Sequence, residues 1–185
     1  MERQISDKNI LNEFCSDFCE ILEEYVEYIV VSGFVVIASG RTRGTEDIDI
    51  IIRRMGYENF KKLHKDLVEE GFTCIQSPDL EEIYDYLDSN IPVRYAREDN
   101  PLPEIELKFA KDELDNYQFE TKEKLPLTGL DVWFSSINMN IAFKEDLLKS
   151  PKDLEDAEYL RRVYKDKVKE EEVKNIKQMI KKLRL

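Results

Sequence analysis

Six residues, Asp47 to Ile52, read DIDIII. A run of isoleucines this dense is a strand made for a core, because β-branched side chains fit a pleated, buried surface. Side chains alternate between faces along a strand, so Ile48, Ile50 and Ile52 point one way and Asp47 and Asp49 the other. The chain must bury one face of this strand while keeping two carboxylates together on the opposite face. Carboxylates side by side repel, and partial burial raises the cost of each charge. Two arrangements meet the constraint. One is a solvated edge strand whose polar face is acidic. The other is a cleft in which a cation sits between the carboxylates, and a hard divalent ion such as Mg²⁺, taking one or two carboxylates plus substrate phosphates, suits it.

The flanking sequence supplies partners for that strand. Tyr28 to Val31 (YIVV) predicts a second strand, broken by Ser32-Gly33, and residues 34–39 (FVVIAS) predict a short buried helix ended by Gly40. Ser6-Asp7 predicts the cap of a first helix, in which Ile10, Leu11, Phe14, Phe18, Ile21 and Leu22 recur at helical spacing. Residues 57–70 form an amphipathic pattern with Gly71 at the expected stop. A strand at 72–76, a helix at 79–88 and strands at 91–96 and 104–110 follow, with REDNPLP between the last two read as a loop. A short helix near 112–119 and a strand at 130–134 (LDVWF) complete the mixed part, and from Ser136 the pattern is helical with a break at Ser150-Pro151. This order predicts an α/β or α+β fold: a mixed sheet flanked by helices over residues 1–135, with a helical region, 136–185, packed on it.

A chain of 185 residues and net charge −12 draws no general attraction from nucleic acid, so any such contact needs a local basic patch. Charge of this sign leaves a nucleotide site open, since metal ions reset the local balance. Cys15, Cys19 and Cys74 lack zinc-site spacing, and a pair of buried thiols on one helix face is the expectation for Cys15 and Cys19. No apolar signal core or membrane-length run is visible, which predicts a cytoplasmic protein without a membrane partner.

The stretch VVSGFVVIASGRTRGTEDIDIII resembles the signature of the nucleotidyltransferase (DNA polymerase beta-like) fold, and within it the minimal enzymes of the AbiEii-like toxin type and their archaeal relatives. Their form is a Gly-Gly or Gly-Ser turn, a short helix, Gly-x-x-Arg-x-Thr and Asp-x-Asp. It maps here onto Ser32-Gly33, Gly40, Arg43, Thr45, Asp47 and Asp49, with Ser32 replacing the first glycine. Residues 135–160 are similar to the family's C-terminal region, where a lysine-bearing helix leads to a Lys/Arg-Asp-x-x-Asp segment. Lys144 and Asp153 fall on those positions, with Asp156 one turn on.

The resemblance implies transfer of a nucleoside monophosphate from a nucleoside triphosphate to a hydroxyl acceptor on RNA, protein or a small molecule. Asp47, Asp49 and a third carboxylate would bind Mg²⁺ or Mn²⁺. Ser32, Gly33, Arg43, Thr45, Lys144 and Asp153 would serve the nucleotide. For the third carboxylate the expectation is Glu106, in EIELKF, with Glu104 as fallback. Toxin relatives imply an antitoxin partner. The competing reading is an inactive module of the same fold that binds a nucleotide or a protein.

Other residues carry structural expectations. His64 is expected on a helix surface, and Trp133, Phe134, Tyr84, Tyr86 and Tyr95 in packing. The lysine-rich tail, with Lys174, Lys177, Lys181, Lys182 and Arg184, reads as a solvated face or an RNA contact.

Overall fold

A computed structural model describes the backbone of residues 2–44 and 47–185, with side chains from Ile10 onward. The strands are β1 (Tyr28–Val31), β2 (Asp47–Ile52), β3 (Phe72–Cys74), β4 (Val93–Arg97) and β5 (Asn100–Phe109). They form one sheet in the order β1-β2-β5-β4-β3, in which only the β2–β5 pair is parallel. Parallel neighbours need a long crossover, and everything between Arg53 and Arg97 supplies it: α3 (Tyr57–Glu69), β3, α4 (Leu80–Asp88) and β4.

One face of the sheet is apolar and covered. Val30, Ile48, Ile50, Ile52, Ile105 and Leu107 pack there with Phe14, Phe18 and Leu22 of α1 (Glu2–Glu23), with Phe60 and Leu63 of α3, and with α2 (Gly33–Ala38). Burying such side chains stabilises by about 1.5–3 kcal/mol each, which fixes the register of β2 with its isoleucines inward. The opposite face is divided. Ile29, Val31 and Ile51 lie under Phe119 of α5 (Glu113–Glu120), while Asp49 and Glu106 stand further along uncovered by that cluster.

The C-terminal helices α6 (Ile137–Phe143), α7 (Pro151–Val163) and α8 (Glu170–Arg184) share the main core through Ile137, Leu160 and Ile176. Between α6 and α7 the chain widens into a π-helical turn, Lys144–Leu148, closed by the Lys149 amide donating to the Lys144 carbonyl at 3.0 Å. Among the described residues no helix is long and apolar enough to cross a membrane.

Several expectations are corrected. Helix α1 begins at Glu2, so Ser6-Asp7 lies inside it; Glu, Arg and Gln before them are good helix formers and extend the first turn. REDNPLP turns only at Glu98-Asp99: Arg97 pairs with Asn100, and β5 starts there, its two prolines confined to the first residues of the strand, where a missing N–H is tolerated. LDVWF is no strand of the sheet. Only Phe134 bridges to Val30 and Glu123, because the turn at Gly129 leaves Asp131 exposed and brings the chain alongside β1 only at Trp133–Ser135. The helical end breaks a second time between α7 and α8. His64 is half-buried instead of superficial, its Nδ1 lying 2.8 Å from the Tyr95 hydroxyl, and burial pushes its pKa down. Trp133 is only partly buried, beneath the ammonium groups of Lys122 and Lys124. Cys15 and Cys19 are buried free thiols, 4.0 Å apart. In the tail, Lys177 pairs with Glu145 at 2.6 Å and Arg184 with Asp112 at 2.6 Å, so these two cations fasten α8 instead of facing solvent.

Candidate active site

The parallel β2–β5 register decides which carboxylates meet. Asp47 stands opposite Glu104 and Asp49 opposite Glu106, all directed to the divided face. Burial, with the Glu106 charge beside it, pushes the Asp49 carboxyl above its ordinary value; Lys108 and a hydrogen bond from the Ser32 hydroxyl pull it the other way. On the far side of Glu106, Arg94 of β4 reaches both glutamates, at 3.6 Å from Glu104 and 3.4 Å from Glu106. Oxygen donors of this kind suit a hard divalent cation. Among the described residues no three acidic, histidine or cysteine side chains converge on one point as they stand.

At the end of β1, Ser32 takes φ 70°, a conformation that costs a residue with a Cβ about 1 kcal/mol or more and that glycine adopts freely. The turn therefore keeps the geometry of a glycine although a serine fills it. Gly33 follows in a tight place: an added Cβ would lie 3.0 Å from the guanidinium of Arg43, which would have to shift.

Arg43 belongs to a cluster of opposite character. Asp156 on α7 is fully buried, and Arg41, Arg43 and Lys144 all donate to it, Lys144 Nζ at 3.0 Å. Arg41 also reaches Glu155 at 2.8 Å, and Arg43 Nε is buried without a hydrogen-bond partner. Three cations around one buried carboxylate leave an excess of positive charge, which a low-dielectric surrounding amplifies. Tyr159, one turn after Asp156, donates to the Ser39 carbonyl at 3.0 Å and lies against Gly40, and Tyr164 meets the Ser39 hydroxyl at 2.7 Å. Helix α7 thus clamps the segment that leads from α2 to β2.

One member or more of each cluster reaches a cavity of about 200 Å³ between the divided face and the helical end, Asp49 and Glu106 from the first and Lys144 from the second. Ser32, Asp49, Glu106 and Lys144 line it, with an apolar wall from Met139, Phe143 and Leu147. Asp153 stands apart: it closes a capping box with Ser150 at the start of α7. Thr45 lies outside the described residues. Asp156, Arg41, Arg94 and Lys108 were not given site roles from sequence; the signal for Asp156 was its place one turn after Asp153 in the Lys-Asp-x-x-Asp segment, four residues before Leu160.

No protein-family model matches the chain, and no curated protein matches it in sequence. Solved structures do match in fold. They include the solution structure of the antibiotic-resistance factor ANT(2'')-Ia, with 13% identity over 95% of this chain and 93% of that one, TM-score 0.55. A crystal structure of ANT(2")-Ia in complex with adenylyl-2"-tobramycin matches at 15% identity over 94% and 98%, TM-score 0.55. An antigenic nucleotidyltransferase-like protein from Paracoccidioides brasiliensis matches at 17% identity over 94% and 88%, TM-score 0.54. The fold of this chain is the nucleotidyltransferase fold.

Proposed function

We propose that the protein is a metal-dependent nucleotidyltransferase that moves a nucleoside monophosphate from a nucleoside triphosphate to a hydroxyl acceptor on RNA, protein or a small molecule. The observation that carries this reading is the pairing of Asp49 with Glu106 across parallel strands, in one cavity with Ser32 and Lys144. Asp47, Asp49 and Glu106 would hold Mg²⁺ or Mn²⁺, which when bound supplies positive charge against the substrate phosphates. Ser32, Gly33 and Lys144 meet the triphosphate, with Arg43 behind them. Because Asp156 already fixes Lys144 and Arg43, these groups need no rearrangement as charge develops.

Arg94 releases Glu106, which then accepts the proton of the acceptor hydroxyl. The acceptor oxygen bonds to the α-phosphorus as the bond from that phosphorus to the bridging oxygen breaks, and pyrophosphate leaves. Residues 1–135 supply the reacting face and residues 136–185 the opposing wall, and dependence on a nucleoside triphosphate fits a cytoplasmic setting. The solved complex of ANT(2")-Ia with adenylyl-2"-tobramycin makes tobramycin one acceptor to try.

A second reading is a module that binds nucleotide or protein without turnover, which the grip of Arg94 on both glutamates favours. A toxin paired with an antitoxin is one biological setting for the enzyme. The test is thermal stabilisation by each of the four triphosphates with Mg²⁺, followed by transfer from α-labelled triphosphate into total RNA, cell protein and tobramycin. The enzyme reading expects stabilisation and label, both lost in Asp49→Asn. Stabilisation without label would favour the binding module, and no response to any triphosphate would sink both nucleotide readings.

A further inference from the structure

The cavity holds more cations than its triphosphate role uses. Of its lining cations, Lys144 is committed to Asp156 and Arg184 to Asp112 and Asp115. Lys108 and Lys111 also line it, and among the described residues neither ammonium has an acid partner within ion-pair distance. Asp49, Glu106 and Asp115 line the same cavity, and Lys108 acts on Asp49 from a distance, yet neither lysine is closed into an ion pair with any of them. Their placement is specific. Lys108 comes two residues after Glu106 on the same face of β5, about 7 Å along the strand. Lys111 lies just past the strand end, where its backbone amide is tied to Asp115 at 2.9 Å.

We infer that Lys108 and Lys111 form the acceptor subsite and take an anionic group, so that the acceptor is a phosphorylated alcohol and not an amine-rich one. The inference rests on Glu106 being the residue that receives the acceptor proton. A hydroxyl at Glu106 and an anion at Lys108 are then one strand step apart, a spacing of the order of one sugar with a hydroxyl on one side and a phosphate on the other. On a protein of net charge −12 an anionic acceptor gains nothing from the general field, so local cations have to supply its attraction. An amine-rich acceptor would meet repulsion from the same two lysines.

The probe is ribose 5-phosphate, compared with ribose, titrated calorimetrically into the protein with a non-hydrolysable triphosphate and Mg²⁺ present and again without them. The expected result is binding of the phosphate form at least tenfold tighter than ribose. The Lys108→Ala/Lys111→Ala double variant should lose that preference, Lys108→Arg should retain it, and Lys144→Met should leave it in place. Stabilisation by triphosphate should be the same in the double variant as in the parent chain. Equal binding of ribose and its phosphate, or an unchanged preference in the double variant, overturns the proposal. Label transfer to tobramycin that is unaffected or reduced by the double substitution overturns it as well. Failure of the triphosphate to bind would remove the nucleotidyl-transfer reading alone, since the sugar-phosphate titration without nucleotide still decides whether the two lysines form an anion site.

Discussion

The cleft has two charged walls made on opposite plans. On the sheet, carboxylates gather in neighbouring rows, held in place by backbone register, and remain partly open to solvent. On the helical side, cations from a loop and a π turn gather around a single carboxylate with no exposure at all. The first wall survives loss of any one side chain, because Ile48, Ile50 and Leu107 on the far face keep the strands in register. The second is held by the charges themselves. Substrate charge of either sign therefore finds a complement, but the two walls should fail differently when altered.

The severest way to break the comparison is Asp156→Ala. Removing one member of a buried charge network strands the others, and a loss of about 3–5 kcal/mol is expected by chemical denaturation, with triphosphate stabilisation abolished. Next comes Lys144→Met, which leaves Asp156 two guanidinium partners. A smaller loss of about 1.5–3 kcal/mol is expected, again with the nucleotide response gone, as for one charged hydrogen bond. A fully stable Asp156→Ala variant would show that the two walls are built alike.

Asp49→Asn tests the sheet wall and should act in the opposite direction on stability. Burial and Glu106 raise the folded-state pKa of Asp49, so the folded protein binds its proton more tightly than the unfolded chain does. Stability from this group falls as pH rises from about 4 through that raised value, and the penalty is fully present above it. The variant should be equal to or slightly more stable than the parent at neutral pH, with a flatter stability profile in that window, while label transfer disappears. Arg94→Gln should have the smallest effect. Its contacts with Glu104 and Glu106 are long and exposed, so less than about 1 kcal/mol is expected, with triphosphate stabilisation unchanged.

The sheet wall was far more legible in the sequence than the helical wall. DIDIII states its own alternation, YIVV states a neighbour, and Glu106, expected from the resemblance with Glu104 as fallback, lies on a strand that alternates in the same way. These are local signals, and pairing carries them into three dimensions. Asp156 and Arg41 belong together only because α7 docks on the segment after α2, across more than a hundred residues, and no local pattern encodes that meeting. Asp153 and Asp156 sit on the same helix; one faces solvent as a cap and the other lies in the interior, a difference set by packing against Leu160 and Tyr164. The misread LDVWF shows the reverse case, a strand-like composition for which the sheet offers only one bridging position.

The π turn at Lys144–Leu148 has a consequence for how this cleft tolerates change. Such a turn contains one residue more than an α-helix would, and it sets the angle between Lys144 and the chain that leads to Ser150. Deleting one residue between Glu145 and Leu148 would replace the i→i+5 closure with the ordinary i→i+4 bond to the same carbonyl, so the downstream chain would keep nearly its direction from Lys144. Loss of Leu147 or Leu148 should be absorbed by the turn, whereas substitution of Glu145 breaks its ion pairs with Arg161 and Lys177 and loosens α7 and α8 together. Side-chain identity at Lys144 and Glu145, more than length, is the property of this segment under constraint.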